Sequence, residues 1–447
     1  MKYFTEYNGH VPIIIGQRKV IDNTIMTFDI ETTSYLILDG KIIPASEYLK
    51  LTKEEQERTI YQSNMYIWMF SIGDQVYYGR TWSEFDSFLQ RIEHFSKYGK
   101  QDVKHIVYSH NFSFEFQHMR SYFEFEDVFA RKSRHVIKAK LKKYNIEFRC
   151  SLMMTNTKLE KLPEIYGLTT EKLVGNLDYS KIRNSKTELT EKEMSYCEND
   201  CLVLYEYIQK ELLQYLDTKH IPLTQTGHVR RELKDTVKKD WKYLWTVRRS
   251  ISQDPHVYNL LVEAFAGGYT HANWTLADEV LKNVTSYDFC SSYPFVMVSE
   301  KFPATEFKKC KITKKEQILN NLAYIIKVKF KNIKCKYINN FISQSKCTMI
   351  YKGRYDNGRV ISAEELEITL TDIDFKLIID TYTFDSYEFL EVYWSIYKYL
   401  PEKFVDFILD KYKNKTEFKN VEGKELQYQI EKQKFNRTLS ECALQIT

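Results

Sequence analysis

Apolar and polar positions fall in blocks along the chain. Residues 24–30 read TIMTFDI, a short run of β-branched and aromatic residues that halts at Glu31, Thr32, Thr33 and Ser34, as a buried strand closed by a polar cluster would. A second strand is predicted over residues 104–109, KHIVYS, which run into His110 and Asn111. The period then changes: Met194, Cys197, Cys201, Leu204, Tyr205 and Ile208 recur at helical spacing, and Thr190 with Glu193 forms a capping box, so residues 191–213 predict a long helix. Strands alternating with helices favour a mixed α/β domain to about Gln214, which this helix closes.

Beyond it, residues 228–250 are dense in Lys and Arg at helical periodicity, which a solvated basic face would explain. Strands return at residues 285–289, and mixed strand and charged-loop segments run to about Leu390. Two helix-like stretches, 400–412 and 423–439, follow. This pattern predicts a second catalytic layer interrupted by an insertion.

The 447 residues, 43% of them hydrophobic, are enough for about three domains at roughly 150 residues each. With 14 Gly and 8 Pro there is no flexible tether, so the domains should abut. No apolar run approaches the roughly 20 residues a membrane helix needs, and the start MKYFTEYNGH lacks a signal pattern. The eight cysteines are scattered, and the close pair Cys197 and Cys201 has helical spacing, the usage of reduced thiols in a cytoplasm. Lys and Arg outnumber Asp and Glu by 65 to 60, which permits a polyanionic partner without demanding one. The 34 Tyr and 27 Phe can fill cores and also offer flat faces to unstacked bases.

Chemistry concentrates in three places of the first domain. Asp29 and Glu31 stand two apart at a strand end, so both carboxylates share one face and can hold a hard divalent cation such as Mg²⁺ or Mn²⁺, although a surface turn would also explain the pair. The second strand leads into Asn111, Phe114 and Glu115, an amide, an aromatic and a carboxylate able to grip a single-strand end beside a metal. A core Phe with a capping Asn is the plain alternative. On the long helix Tyr196 and Asp200 lie one turn apart, so the phenol can orient an attacking water while the acid holds metal. Together these suit in-line hydrolysis of a phosphodiester by a metal pair.

The constellation resembles the proofreading domain of family B DNA polymerases, whose fold is ribonuclease H-like. The resemblance implies exonuclease motifs at Asp29-Ile30-Glu31, Asn111 to Glu115 and Tyr196 to Asp200. It implies Asp29, Glu31, Glu115 and Asp200 as metal ligands. Thr32, Tyr108, His110, Asn111, Phe114, Ser151 and Leu152 would then contact the 3′ end of the strand. Glu115 stands where the family usually has Asp. Val174 precedes Gly175 where the family places a lysine, which leaves Lys172 to reach in.

In the second region FAGGYTHA, residues 265–272, is followed by SYDFCSSYPFVM, residues 286–297. A bare turn would explain the paired glycines. The pair resembles the Y-x-G-G motif and polymerase motif A, with Phe265 for Tyr and Ser292 for Leu. By that resemblance Asp288 is a catalytic metal ligand, the backbone near Phe289 meets nucleotide phosphates, and Tyr293 lies under the sugar. Phe265, Gly267 and Gly268 would bind template. Lys432, Lys434 and Arg437, in a segment resembling the start of motif B, would contact the triphosphate.

The short N-terminal region and the insertion after motif A point by resemblance to the protein-primed branch of phages and linear plasmids, where the insertion meets a terminal protein. The implied partners are single-stranded and primer-template DNA, deoxynucleotides and that priming protein. The expected layout is an exonuclease domain over 1–214, the start of the palm over 215–300, the insertion over 301–395 and shortened fingers over 396–447. Asp372 and Asp374 precede the finger-like helix and are expected to be structural. One possible coding sequence for residues 442–447, read in another frame, yields Met-Cys-Val-Thr-Asn, which suggests a frameshift or intron boundary near motif B. The combined expectation is a polymerase-family chain that digests 3′ ends and synthesises poorly. An independent exonuclease and a noncatalytic single-strand or primer-protein binding module are the alternatives.

Overall fold

The computed structural model describes residues 1–15, 20–95, 103–170, 177–178, 181–237, 254–289, 291–425 and part of 427–435. The chain divides into two compact units, Met1–Arg231 with Phe418–Lys434, and Glu232–Glu417 with Phe435–Thr447.

The first unit is built on a ten-stranded mixed sheet. Its strands are β1 (Lys2–Tyr3), β2 (Ile14–Ile15), β3 (Ile21–Leu38), β4 (Lys41–Pro44), β5 (Ile60–Ile72), β6 (Gln75–Gly79), β7 (Lys104–Ser109), β8 (Phe125–Ala130), β9 (Val136–Leu141) and β10 (Ile146–Cys150). The order is β1-β6-β5-β3-β7-β10-β9-β8, with β2 and β4 also paired to β3. The three central strands β3, β7 and β10 are parallel, and their neighbours outward are antiparallel.

Alternation along β3 sorts its side chains to two faces. Phe28 and Ile30 enter one core, where the helix Trp82–Phe95 lays down Phe85, Phe88, Leu89 and Ile92 at helical spacing. The Phe28 and Phe85 rings stack at 4.9 Å. Thr27, Asp29 and Glu31 alternate to the other face, which the helix Glu191–Leu212 covers; the Thr27 hydroxyl donates to the Cys201 carbonyl at 3.1 Å. That helix starts at the predicted capping box, with Thr190 accepting from the Glu193 amide. The first unit is therefore a helix–sheet–helix sandwich, the mixed α/β class expected.

Two boundaries differ from the sequence pattern. β3 does not halt at the polar cluster but continues to Leu38, because β5 pairs with it throughout, from Met26 against Ile72 to Ile37 against Ile60. A register shift between Glu31 and Thr32 marks the passage from core strand to projecting ribbon. The first unit also runs past residue 214, since the Tyr215 hydroxyl bonds His228 Nδ1 at 2.7 Å and the Thr218 carbonyl accepts from Tyr108.

In the second unit the helix Pro255–Ala264 precedes an antiparallel sheet of β11 (Lys301–Pro303), β12 (Lys308–Lys309), β13 (Leu322–Cys335), β14 (Cys347–Tyr351), β15 (Arg354–Asp356), β16 (Arg359–Thr371), β17 (Tyr382–Thr383) and β18 (Ser386–Tyr399). Its main path is β11-β18-β13-β16-β14. Ile326, Val328 and Phe330 pack with Phe375 and Ile378 of the helix Asp372–Thr381, whereas Ile325 and Tyr393 meet Val257 and Leu260. The helix Glu402–Glu417 follows, close to the predicted 400–412. Residues 285–289, predicted as a strand, have no strand structure: none of the described strands offers them a partner, and Tyr287 and Phe289 are exposed. Of the basic stretch, Gln225–Val237 is helical and residues 238–250 lie outside the described ones.

Candidate active site

Two long elements and one short helix bring the acids of the first unit together. Asp29 and Glu31 project from β3, and Asp200 descends from the covering helix three residues beyond Cys197, whose thiol packs with Ile67 and Met69 on the same sheet face. Asp29, Glu31 and Asp200 each offer an oxygen within 4.8 Å of the others. Glu115 enters from the helix Ser113–Met119, which begins after Asn111 turns the chain in the left-handed region at φ 66°. The Glu115 carboxyl is 2% exposed and shares a hydrogen bond with Asp29.

Crowding of acids sets the electrostatics. Burial, then the negative charge of Asp29, pushes Glu115 well above the ordinary carboxylate range. Burial and then the charges of Glu31, Asp29 and Asp200 likewise push the Cys197 thiol up, so it stays neutral beside them. Such a concentration of buried negative charge is stable only with protons or a cation in it. The donor set fits a hard divalent cation: all four are carboxylates, and Glu115 Oε2 is a buried oxygen without a hydrogen-bond partner.

Around the acids, Tyr196 sits one turn before Asp200 and is 6% exposed. Thr32 lies on β3 just past the register shift. Phe114 is 41% exposed, its ring 4.7 Å from that of His118. Asn111 is exposed and its carbonyl accepts from the Phe114 amide at 2.8 Å. His110 Nδ1 and the Ser151 hydroxyl are 2.9 Å apart, so β7 and β10 bring these two into one cluster, with Leu152 half-buried beside it.

Tyr108 corrects the expectation of strand contact. Its side chain is fully buried on the long-helix side, its hydroxyl donates to Thr218 at 2.9 Å, and burial lifts its pKa to about 12. Sequence alternation could have signalled this, since Ile106 and Tyr108 share a face that Val107 and Ser109 do not.

Sequence reasoning missed a second buried polar cluster. Asp22 accepts from His10 Nε2 and lies 3.4 Å from His105 Nδ1, while the Tyr7 hydroxyl meets His10 Nδ1 at 2.8 Å. Burial would raise the Asp22 carboxyl, yet bonds from His10, His105 and Thr24 hold it well below the usual range. It ties the N-terminal segment to β3 and β7.

In the second unit the two motif segments meet. A Cβ on Gly268 would stand 2.9 Å from the hydroxyl of Tyr293, the far end of an exposed side chain, so the two segments lie within contact distance of each other. Ser291 caps the helix Ser292–Ser299 at φ 54° and accepts from Lys415 Nζ at 3.1 Å. Phe265 ends the preceding helix, half-exposed, with the Lys346 ammonium 5.8 Å from its ring, and Gly267 borders open space. Asp288 is exposed, and among the described residues it belongs to no group of three ligating side chains. Asp372 is structural: it accepts from the Tyr324 amide and the Tyr397 hydroxyl, both at 3.0 Å, and Asp374 closes the cap with Thr371. Lys432 is exposed near Tyr428, whereas Lys434, Arg437, Lys172, Val174 and Gly175 lie outside the described residues.

The family model for DNA polymerase type B, organellar and viral, matches residues 170–439, more than half of the chain. Phi29 DNA polymerase complexed with primer-template DNA and incoming nucleotide substrates superposes at a TM-score of 0.64 and 16% identity, covering 94% of this chain and 68% of that one. Its orthorhombic crystal form gives 0.65 at 17% identity, covering 93% and 67%. Its complex with single-stranded DNA gives 0.63 at 16%, covering 93% and 66%. This chain thus spans about two thirds of that polymerase's length, and the likeness is one of fold. No curated protein matches the sequence. No helix among the described residues is long and apolar enough to cross a membrane.

Proposed function

This chain belongs to the organellar and viral type B DNA polymerases, and from that premise we propose that its first unit is a divalent-metal-dependent 3′–5′ exonuclease acting on an unpaired DNA end. The observation that carries the reading is the convergence of Asp29, Glu31 and Asp200 within 4.8 Å, with Glu115 bonded to Asp29. Those four residues would hold Mg²⁺ or Mn²⁺, which supplies Lewis-acid polarisation of the phosphodiester and a more acidic bound water. Tyr196 orients the attacking water from one turn along the helix. Phe114 offers its exposed face to the terminal base, and Asn111, Thr32, His110, Ser151 and Leu152 position the strand end. Tyr108 supports this surface from beneath.

The second unit reads as a polymerase region of the protein-primed kind. Asp288 is its metal ligand, Phe289 and Tyr293 lie at the nucleotide, and Phe265, Gly267 and Gly268 at the template. The sheet within residues 301–395 is the surface for a terminal priming protein. Because Asp288 stands apart from other acids among the described residues, this chain should extend primers weakly.

The test is digestion of 3′-labelled single-stranded DNA by the full chain with Mg²⁺. Loss in Asp29→Ala and retention in Asp288→Ala supports the assignment; absent digestion, or digestion indifferent to Asp29→Ala, overturns it.

A further inference from the structure

A groove of about 1420 Å³ opens in the first unit, between the projecting β3–β5 ribbon and the end of the helix Ser113–Met119. It is larger than the roughly 300–1,000 Å³ of small-molecule pockets, which suits an extended ligand. One wall carries Tyr35, Ser63 and Asn64, and the Asn64 amide donates to the Tyr35 hydroxyl at 2.7 Å. Ser63 pairs with Ser34, three residues beyond Glu31. The groove therefore flanks the ribbon a few residues past the acidic site.

His118 bridges the two. Its ring lies against Phe114, its Nδ1 donates to the Phe114 carbonyl at 3.0 Å, and its Nε2 accepts from the Ser63 hydroxyl at 3.1 Å. Further on, Trp82 and Tyr122 face each other across 5.6 Å at 31°, and Tyr122 is 66% exposed. The far rim carries Lys142 and Lys143, paired with Glu124 at 2.7 Å and Asp86 at 2.9 Å. Exposed pairs of this kind are worth only about 0.2–1 kcal/mol, so a phosphate can take over either ammonium.

We infer that this groove is a track for the unpaired strand upstream of the terminal nucleotide, with Tyr122, backed by Trp82, as a stacking platform and Lys142 and Lys143 as phosphate contacts. The inference rests on the exonuclease reading for the position of the 3′ end. An aromatic platform suits single-stranded DNA because every base has a face to stack, and His118, which lines the groove and lies against Phe114, sets the strand's direction.

The test compares a short oligothymidylate, reaching only the carboxylates, with a longer one that fills the groove. Binding to the full chain is read by fluorescence anisotropy in EDTA, and digestion separately in Mg²⁺. Loss of one base–aromatic stack corresponds to about a 5- to 150-fold weakening. Tyr122→Ala should weaken the longer strand within that range and raise its KM with kcat unchanged. It should leave the short strand untouched, and Tyr122→Phe should restore affinity. Equal binding of both lengths by the wild type, or an equal loss for both in Tyr122→Ala, overturns the track. Length-dependent binding without any digestion would sink the exonuclease reading and leave the track standing.

Discussion

The acidic cluster stores repulsion that a substitution can release. Two ionised carboxylates with oxygens at 4.8 Å repel by about 3.5 kcal/mol at an effective dielectric of about 20, and Asp200 faces both Asp29 and Glu31. The proton shared between Glu115 and Asp29, and side-chain relaxation, remove much of that sum. Asp200→Asn should therefore stabilise the metal-free protein by about 1–3 kcal/mol while abolishing digestion, the trade expected where a site is built for a ligand. At about 2–4 °C per kcal/mol for a unit of this size, the first unfolding transition in EDTA should rise by about 2–12 °C. Mg²⁺ at a hundredfold excess over its Kd should stabilise the wild type by about 2.7 kcal/mol and the variant far less. Calorimetry in EDTA and in Mg²⁺ reads both quantities. If Asp200→Asn lowers the transition in EDTA, or if Mg²⁺ shifts both proteins equally, the carboxylates are not a strained cation cage.

Three further outcomes are expected. Glu115→Asp, which shortens the side chain at a buried site, should keep measurable digestion, whereas Glu115→Ala should lose at least about 100-fold in kcat, as loss of a metal ligand or its support does; equal rates in the two variants would contradict the ligand role. Gly268→Ala should change stability by no more than about 0.5 kcal/mol in urea melts, because its Cβ meets only the movable end of the exposed Tyr293 side chain at 2.9 Å; a larger loss would show that the ring is held in place. Burial alone would raise Glu147, but Arg149 and Lys104 hold its pKa near about 2. Its stabilisation is thus complete above the unfolded carboxylate value of about 4.3 and disappears as pH falls toward 2, at most about 3 kcal/mol that Glu147→Gln should remove from acid titrations.

Much of the site was legible before any fold was known. The helix Glu191–Leu212 follows from period and cap, with Tyr196 and Asp200 on it, and the strand Lys104–Ser109 and the strand that carries Asp29 and Glu31 follow from short apolar runs. Failures occurred where long-range partners decide. β3 continues through Thr32, Thr33 and Ser34 because β5 satisfies its backbone, and residues 285–289 are not a strand because no described strand pairs with them. Tyr108 looked like a strand contact until Thr218, 110 residues away, took its hydroxyl.

By itself, then, the amino-acid order determined local periodicity, the capping box and the two-residue and four-residue spacings that put acids on one face of an element, since these depend on near neighbours alone. Only the tertiary structure decided that those faces meet. The parallel register of β3 and β7, the Thr27–Cys201 bond beneath the long helix and the burial of Glu115 bring acids from distant segments within bonding reach. The same packing opened the groove past His118. No short-range pattern could announce it, because its walls come from separate segments of the chain.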